Sequence, residues 1–324
     1  MLIGNNHSTL TIILPVFGRA ELLAEAWHSL QHQSDPDWQL LIADDGSDDY
    51  TANWIESEPA KDCRTNWIRR KHNIGLFANL NAALETLSIH SWVLLLCSDD
   101  RLLPDAVSNI KKLKRDWPWV SWILSTHLSI DKLGKPIAAT SIKDHNCFST
   151  NSRTISASEF VPLLLQHGSI NGNLTGIAFS MHLWRSAGEF RADWCHAADW
   201  EWLIRAVEQA PVLLNRMPIA EIRSHGAQLS NKNRFSGDEL REVAAVQLLL
   251  INHPLLRDEP QRFSWAAYRM QFQLWNLIKQ VLNLHWQGVV PGLIEIQRTV
   301  GLLPCFLALL AFLPKRISGR LFLP

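Results

Sequence analysis

Residues 91–104, SWVLLLCSDDRLLP, are the stretch that decides the fold of this chain. The unbroken apolar run at 92–96 predicts a strand that is buried on both faces of a sheet. Two adjacent carboxylates, Asp99 and Asp100, follow it, and Pro104 suits the first turn of a following helix. Because adjacent carboxylates repel each other, they indicate a cation, or a ligand carrying one, at this strand end. The alternative is an acidic turn in which Asp100 lies near a helix N-terminus.

The composition limits the kinds of protein that the chain can be. A length of 324 residues predicts one large domain or a domain with an appendage, and 47% hydrophobic residues are ample for a core. Basic and acidic residues number 31 each, so no overall charge favours nucleic acid. Five cysteines without paired spacing favour reduced thiols in a cytosolic setting, and the first residues lack the layout of a signal peptide.

Strands and helices alternate through the first half of the sequence. Apolar runs predict strands at 10–16, 38–43, 65–70, 92–96 and 119–125, and helical spacing predicts helices at 20–33, 49–55, 78–87 and 105–116. This alternation predicts an open parallel sheet with helices on both faces, whose ligands bind at the carboxyl ends of the strands. The polar loops 17–19, 44–49 and 97–100 follow three of these ends, so we expect them to converge on one crevice.

The middle of the chain is less regular. Residues 131–158 are predicted to form a loop region with a hairpin near 132–136, which is typical of a second-substrate site or a lid. Strands are predicted at 174–180 and 211–216, with a helix beginning near residue 198 between them. The apolar positions of that helix face inward, so Asp199 is expected at its N-terminal end and directed away from the core.

The character of the sequence changes near residue 235, which predicts two domains, 1–235 and 236–324. Helices are predicted at 238–250 and 261–285. The unbroken apolar segment 300–313 is shorter than the roughly 20 residues that a membrane-spanning helix needs. Lys315, Arg316 and Arg320 follow it. We expect residues 289–324 to lie in a membrane interface; the alternative is a pair of helices that packs on the domain.

Five segments, taken together, resemble the inverting glycosyltransferases of family 2, which have the GT-A fold. They are TIILPVFGR, WQLLIADDGSDD, HNIGLFANLNAAL, LLLCSDDRLLP and AADWEWLIRA, in family order between residues 10 and 230. The resemblance implies an α/β fold with a mixed, mainly parallel sheet flanked by helices, here with a C-terminal helical extension. It also implies metal-dependent transfer of a sugar from a nucleotide-diphospho-sugar to a hydroxyl of a glycan or lipid-linked acceptor, in cell-surface polysaccharide synthesis at the cytoplasmic face of the membrane.

The resemblance also implies roles for individual residues. A general base, Asp199, would remove the acceptor proton, and Asp100 would ligate Mg²⁺ or Mn²⁺ at the diphosphate, with His225 close to the metal. Asp45 would hydrogen-bond the base of the nucleotide and Asp99 would touch the ribose. The other residues implied to line the nucleotide-sugar pocket are Pro15, Phe17, Arg19, Asp44, Asn73, Gly75 and Asn81.

Each of these residues also has a structural interpretation. Asp45 and Asp199 are both placed to cap helices, His225 is placed to make a structural hydrogen bond, and Asn81 is placed to bond local backbone. Two residues depart from the commoner family pattern. Cys97 stands where an acidic residue is usual, which predicts weaker metal coordination, and Ala198 precedes Asp199 where a glutamate is common.

Three other functions compete with sugar transfer. A sugar-phosphate nucleotidyltransferase also uses a nucleotide-binding sheet and Mg²⁺, but it should carry a glycine-rich basic loop after its first strand, which residues 15–19 are not. A dehydrogenase needs a Gly-x-Gly-x-x-Gly turn, and the sequence has none. A non-catalytic binding or scaffold protein on a decayed transferase fold is the remaining alternative, and Cys97 is the feature that favours it.

Overall fold

The computed structural model describes residues 9–137, 149–170, 173–225 and 237–320, with side chains up to residue 313. The strands are β1 (Leu10–Val16), β2 (Trp38–Asp44), β3 (Thr65–Arg69), β4 (Trp92–Leu95), β5 (Arg101–Leu102), β6 (Trp122–Ile130), β7 (Arg153–Ile155), β8 (Ile177–Ser180) and β9 (Val212–Arg223). The helices are α1 (Ala20–Gln31), α2 (Asp49–Ser57), α3 (Leu76–Leu84), α4 (Ala106–Asp116), α5 (Ala157–His167), α6 (Met181–Ala187), α7 (Ala198–Gln209), α8 (Asp238–Ile251), α9 (Arg262–Leu282), α10 (Val289–Thr299) and α11 (Leu302–Arg320).

The described strands form a mixed sheet in the order β3-β2-β1-β4-β8-β6-β9-β5, with β7 paired to β9. The four strands β3, β2, β1 and β4 are parallel, and β8 joins β4 to β6 in the antiparallel direction. The predicted mainly parallel, helix-flanked α/β architecture is therefore confirmed. Because β1, β2 and β4 are neighbours, their carboxyl ends lie at one edge of the sheet.

The core explains why the apolar runs become the central strands. Every residue of β1 is buried, and α1 covers the sheet with Leu23, Ala26, Trp27 and Leu30, which recur at helical spacing. Trp27 meets Trp38 edge to face, with ring centroids 6.3 Å apart. Such an aromatic pair contributes about 0.5–1.5 kcal/mol beyond its buried area.

Several element bounds differ from the sequence-based prediction. Strand β6 begins and ends later than predicted, and β9 continues through Pro218 to Arg223. Strands β5 and β7 were not predicted, because runs of two and three residues carry no periodic signal. The hairpin predicted near 132–136 is present, since Asp131 N donates to Lys135 O at 2.8 Å.

The chain divides into two compact units. One consists of Met1–Ala157 and Ser169–Gly226, and the other of Ser158–Gly168 and Ala227–Pro324. The second unit therefore includes most of α5, which the predicted boundary at residue 235 places in the first domain. In the second unit Ala267, Met270, Leu274 and Leu277 of α9 form a buried stripe, whereas Phe263 is half exposed.

The apolar tail forms two helices rather than one. Among the described residues no single helix is long and apolar enough to cross a membrane. The segments Val289–Thr299 and Leu302–Leu313 pass that test of length and composition only as a pair, and a bend of 98° separates them.

Candidate active site

Three loops that follow parallel strands meet at one edge of the sheet. The backbone N–H of Gly18, after β1, donates to Ser47 Oγ, after β2, at 2.8 Å. Arg19 Nη1, also after β1, lies 3.4 Å from Asp99 Oδ2, after β4. The loops predicted to converge are therefore in direct contact, and together they place an aromatic ring, a guanidinium and carboxylates around one edge.

The loop after β1 presents Phe17 and Arg19. Pro15 is buried inside β1 opposite Ala43, whereas Phe17 is 57% exposed. Gly18 and Arg19 both adopt left-handed backbone conformations, with φ values of 68° and 63°. Such a conformation is uncommon for arginine and is found more often at ligand-binding sites than elsewhere. It accompanies the approach of the Arg19 side chain to Asp99.

Asp45 connects the loop after β2 to the loop that opens α3. Its Oδ1 accepts a hydrogen bond from Ile74 N and its Oδ2 from Gly75 N, both at 2.9 Å. Burial raises the pKa of Asp45 above its ordinary value, and these two N–H donors oppose that rise. Asp48, not Asp45, caps α2, since Asp48 Oδ1 accepts from Thr51 N.

The remainder of the acidic turn is held tightly. Asp44 Oδ1 accepts from Ser47 N at 2.9 Å, and Asp44 Oδ2 lies 3.6 Å from Arg69 Nε. Gly46 has a φ of 75°, and a Cβ at this position would stand 2.9 Å from the carbonyl carbon of His72. Only glycine suits that backbone approach, so the turn and the loop after β3 fit closely together.

Two asparagines, one in α3 and one in the loop before it, both predicted to bind the nucleotide, differ in their exposure. Asn73 is exposed, and its Oδ1 accepts from Gly75 N at 3.2 Å. Asn81, in contrast, is buried, and its amide donates to Phe190 O at 2.7 Å and accepts from Phe190 N at 3.0 Å. Since both ends of the Asn81 amide are bonded to Phe190, Asn81 has a structural role, and its place behind a loop that packs under the ribose stays a prediction.

Asp99 is the more open of the two adjacent carboxylates. Its side chain is 17% exposed, and its Oδ2 lies 3.0 Å from His225 Nε2. His225 was predicted near the metal, and the structure places it against the carboxylate for which the resemblance implied a ribose contact.

Asp100 is buried and already has protein donors at both oxygens. Its Oδ1 accepts from Arg223 N at 2.9 Å and its Oδ2 from Thr175 Oγ1 at 2.6 Å. Burial, with the neighbouring charge of Asp99, raises the pKa of Asp100 to about 7. The sequence assigned the cation to Asp100, but the geometry leaves Asp99 more accessible to a ligand.

The residues around these carboxylates fit a divalent cation. Cys97, Asp99 and Asp100 each offer one ligand atom, and the three atoms lie within 4.8 Å of one another. Two carboxylates satisfy the preference of Mg²⁺ and Mn²⁺ for oxygen. Burial and the two aspartate charges raise the pKa of the Cys97 thiol well above its usual value.

Sequence reasoning missed the ion pairs that hold the Asp99–Asp100 turn. The guanidinium of Arg223, buried at the end of β9, donates from Nε to the carbonyl of Asp99 at 3.0 Å and forms an ion pair with Glu25 of α1. Arg101 lies 3.3 Å from the same Glu25 carboxylate and 2.8 Å from Glu221. The sequence could have indicated a role for Arg223, because a charged residue within a buried strand needs a partner. No feature of the sequence indicated a role for Thr175.

Asp199 lies in the first turn of α7 and is half-buried. The N-cap position belongs to Ala197, which makes no side-chain cap, so Asp199 is inside the helix. The helix is fixed because Trp202 Nε1 donates to Gly188 O at 3.0 Å and the rings of Phe190 and Trp202 are 5.1 Å apart. Through Phe190, this anchoring joins α7 to Asn81 of α3.

Comparisons with known proteins agree with this architecture. Residues 11–120 match the model for glycosyl transferase family 2. A 102-residue segment is 31% identical to the GalNAc(5)-diNAcBac-PP-undecaprenol beta-1,3-glucosyltransferase of Campylobacter jejuni. That segment covers 31% of this chain and about a third (33%) of the length of that relative.

Solved structures share the fold at low sequence identity. Residues 1–349 of S. aureus TarS, in complex with UDP-GlcNAc, superpose with a TM-score of 0.66 at 15% identity, over 90% of this chain and 81% of that one. The mannosyltransferase PcManGT of Pyrobaculum calidifontis, in complex with GDP-Man and Mn²⁺, gives a TM-score of 0.51 at 15% identity, over 94% and 86% of the two chains.

Proposed function

Because residues 11–120 match the model for glycosyl transferase family 2, we propose that this chain transfers one sugar from a nucleotide-diphospho-sugar to a hydroxyl group of a glycan or lipid-linked acceptor, with inversion at the anomeric carbon. The observation that carries this proposal is the meeting of the loops after β1, β2 and β4, in which Gly18 bonds Ser47 and Arg19 lies against Asp99. An edge of parallel strands with polar loops is where ligands bind in such sheets.

The nucleotide is proposed to bind between the loop after β1 and the loop before α3. Asp45 receives two backbone N–H groups at 2.9 Å, which fixes its carboxylate while leaving it lone pairs for the N–H groups of a base. Phe17 offers an exposed ring in the loop after β1, and the exposed Asn73 offers an amide to a ribose hydroxyl, with Gly75 holding Asp45 and Asn73 in place. Asp44, Pro15 and Asn81 support these loops from behind.

The diphosphate is proposed to lie beside Asp99. Asp99 and Asp100 would hold a divalent cation, with His225 beside Asp99 and Arg19 at the edge. When bound there, Mg²⁺ or Mn²⁺ would neutralise the negative charge that develops on the diphosphate leaving group. The buried Arg223 is proposed to position both carboxylates, since it donates hydrogen bonds to the carbonyl of Asp99 and to the carboxylate of Asp100.

Asp199 is the proposed general base. An acceptor hydroxyl must lose its proton as it attacks the anomeric carbon from the side opposite the diphosphate, and a carboxylate within hydrogen-bond reach takes that proton. Asp199 lies in the first turn of α7, and the N-terminus of a helix carries partial positive charge. A single in-line displacement of this kind inverts the anomeric centre.

Relatives indicate which substrates to test first. TarS is solved with UDP-GlcNAc, PcManGT with GDP-Man and Mn²⁺, and the Campylobacter jejuni relative is named for an undecaprenol diphosphate-linked glycan. We therefore propose a UDP- or GDP-sugar donor and a polyprenyl diphosphate-linked acceptor, in cell-surface polysaccharide synthesis.

A donor screen tests the proposal. The full chain is heated with Mn²⁺ and UDP-glucose, UDP-GlcNAc or GDP-mannose in turn, and release of UDP or GDP is then followed with the ligand that shifts the melting temperature. A ligand at 100 times its dissociation constant stabilises the folded state by about 2.7 kcal/mol, which such a scan detects. Binding without release of UDP or GDP would favour a non-catalytic protein. Formation of UTP or GTP and a sugar 1-phosphate on addition of inorganic diphosphate would identify a nucleotidyltransferase, and no shift with any nucleotide-sugar would contradict the proposal.

The second unit is proposed to attach the chain peripherally to the inner face of the membrane. In α11 the side chains of Leu303, Phe306, Leu307 and Leu310 are between 45% and 68% exposed and recur at the spacing of one helix face. Cys305 and Leu309 of the same helix are buried. An exposed apolar face on a fixed helix is typical of insertion at the headgroup boundary, and the sequence of α11 continues with basic residues that suit anionic lipids.

A double substitution tests the membrane contact. Phe306→Asp with Leu310→Asp is expected to weaken binding to phosphatidylglycerol vesicles by about tenfold or more, because each apolar side chain is worth about 1.5–3 kcal/mol when buried. Flotation measures this, with Leu255→Asp, an exposed leucine of the same unit, as control. Equal flotation of the double variant and the unsubstituted chain would contradict a role for α11.

A further inference from the structure

The proposed cation site includes a sulfur atom. Cys97 Sγ belongs to the group of three ligand atoms that lie within 4.8 Å of one another, together with one oxygen each from Asp99 and Asp100. An imidazole borders the same group, since His225 Nε2 is 3.0 Å from Asp99 Oδ2. The donor set of this group is therefore a thiol and two carboxylates, not oxygen alone, with a histidine hydrogen-bonded to one of the carboxylates.

Two neighbours tie Cys97 to the carboxylates. Thr175 Oγ1 accepts a hydrogen bond from Cys97 N at 2.9 Å and donates one to Asp100 Oδ2 at 2.6 Å. Asn173 accepts from Cys97 Sγ at 3.7 Å and donates to Asp100 Oδ2 at 3.4 Å. Both residues bridge Cys97 and Asp100, so the sulfur is held beside that carboxylate.

Donor chemistry decides which cations such a group selects. Mg²⁺ prefers oxygen ligands and keeps much of its water, whereas thiolate and imidazole ligands favour Zn²⁺ and other later first-row metals. Replacing an oxygen ligand by sulfur therefore weakens a site for Mg²⁺ and strengthens it for these metals.

We propose that Cys97 is a ligand of the donor-site cation and biases this site away from Mg²⁺ and towards sulfur-accepting divalent cations such as Co²⁺ and Zn²⁺. The proposal rests on the cation site of the function proposed above and specifies its metal selectivity. In the alternative interpretation Cys97 is a small side chain that fills space beside Thr175 and leaves selectivity to the carboxylates.

Cobalt tests the proposal directly, because a thiolate bound to Co²⁺ gives a charge-transfer absorption band in the near ultraviolet that carboxylate and imidazole ligands do not give. The full chain titrated with Co²⁺ is expected to develop this band, and Cys97→Ser to lose it together with about tenfold or more of its Co²⁺ affinity. Mg²⁺ affinity should stay unchanged in Cys97→Ser and rise in Cys97→Asp. The exposed Cys63 supplies the matched control, Cys63→Ser, which should keep the band.

The outcomes separate this proposal from the proposed function. Absence of the band in the unsubstituted chain, or its persistence in Cys97→Ser with a native circular dichroism spectrum, overturns the thiol ligand even if UDP or GDP is released from a sugar donor. If Cys97→Ser misfolds, the Co²⁺-to-Mg²⁺ affinity ratio of Cys97→Asp decides: an unchanged ratio overturns the proposal. The band with no nucleotide release supports the thiol ligand and contradicts only sugar transfer.

Discussion

Replacing Asp199 by asparagine is expected to slow sugar transfer by about 10²–10⁴-fold, the range over which a positioned general base contributes. Asparagine keeps the shape of the side chain and can still accept a hydrogen bond from the acceptor hydroxyl, but it cannot take the proton. The loss should therefore fall on kcat, and the dissociation constant for the nucleotide should stay unchanged. Steady-state transfer and calorimetric titration with UDP or GDP measure the two quantities separately.

A nearby carboxylate provides the control for this variant. Asp193 precedes α7 and forms an exposed ion pair with Arg191 at 2.7 Å, so Asp193→Asn is expected to leave transfer unchanged. If Asp199→Asn instead weakened nucleotide binding and left kcat intact, Asp199 would belong to the donor pocket. Glu201, two residues further on, is unsuitable as a control because its carboxylate anchors α7 through Arg205.

The sequence predicted the sheet edge well because its signals are local. The buried runs of β1, β2 and β4 each end in a polar loop, and parallel neighbours must place those loops together. The prediction that Gly18–Arg19, the acidic turn and Asp99 converge needed only the strand order. One hydrogen bond of 2.8 Å and one ion pair of 3.4 Å connect them.

The different environments of the adjacent residues Asp99 and Asp100 could not be predicted in the same way. Asp99 and Asp100 cannot be distinguished from the sequence. Asp100 is buried because it packs against Arg223 and Thr175, each more than 70 residues away in the chain, whereas Asp99 stays more exposed. Asn81 shows the same limit, since its partner Phe190 lies 109 residues further along. Long-range polar partners are set by tertiary packing, which periodicity does not report.

Asp99→Asn is expected to abolish cation-dependent donor binding, with a fall in transfer of about 10²-fold or more, because the loss removes a ligand charge at the diphosphate. The fold should survive, since Asp99 is partly exposed and makes its side-chain contacts with His225 and Arg19 at the site edge. Donor titrations with Mn²⁺ and with chelator, together with chemical denaturation, measure both properties.

Asp100→Asn separates the two carboxylates. Its amide nitrogen would face the Arg223 N–H or the Thr175 hydroxyl, both of which now donate to Asp100, so a buried donor would lose its acceptor. Such a loss costs about 1–3 kcal/mol, and we expect Asp100→Asn to lower the free energy of unfolding by that amount, whereas Asp99→Asn leaves it nearly unchanged. If Asp99→Asn kept its Mn²⁺-dependent donor binding while a stably folded Asp100→Asn lost it, Asp100 would be the principal ligand, as the sequence alone implied, and the greater exposure of Asp99 would have no bearing on the metal.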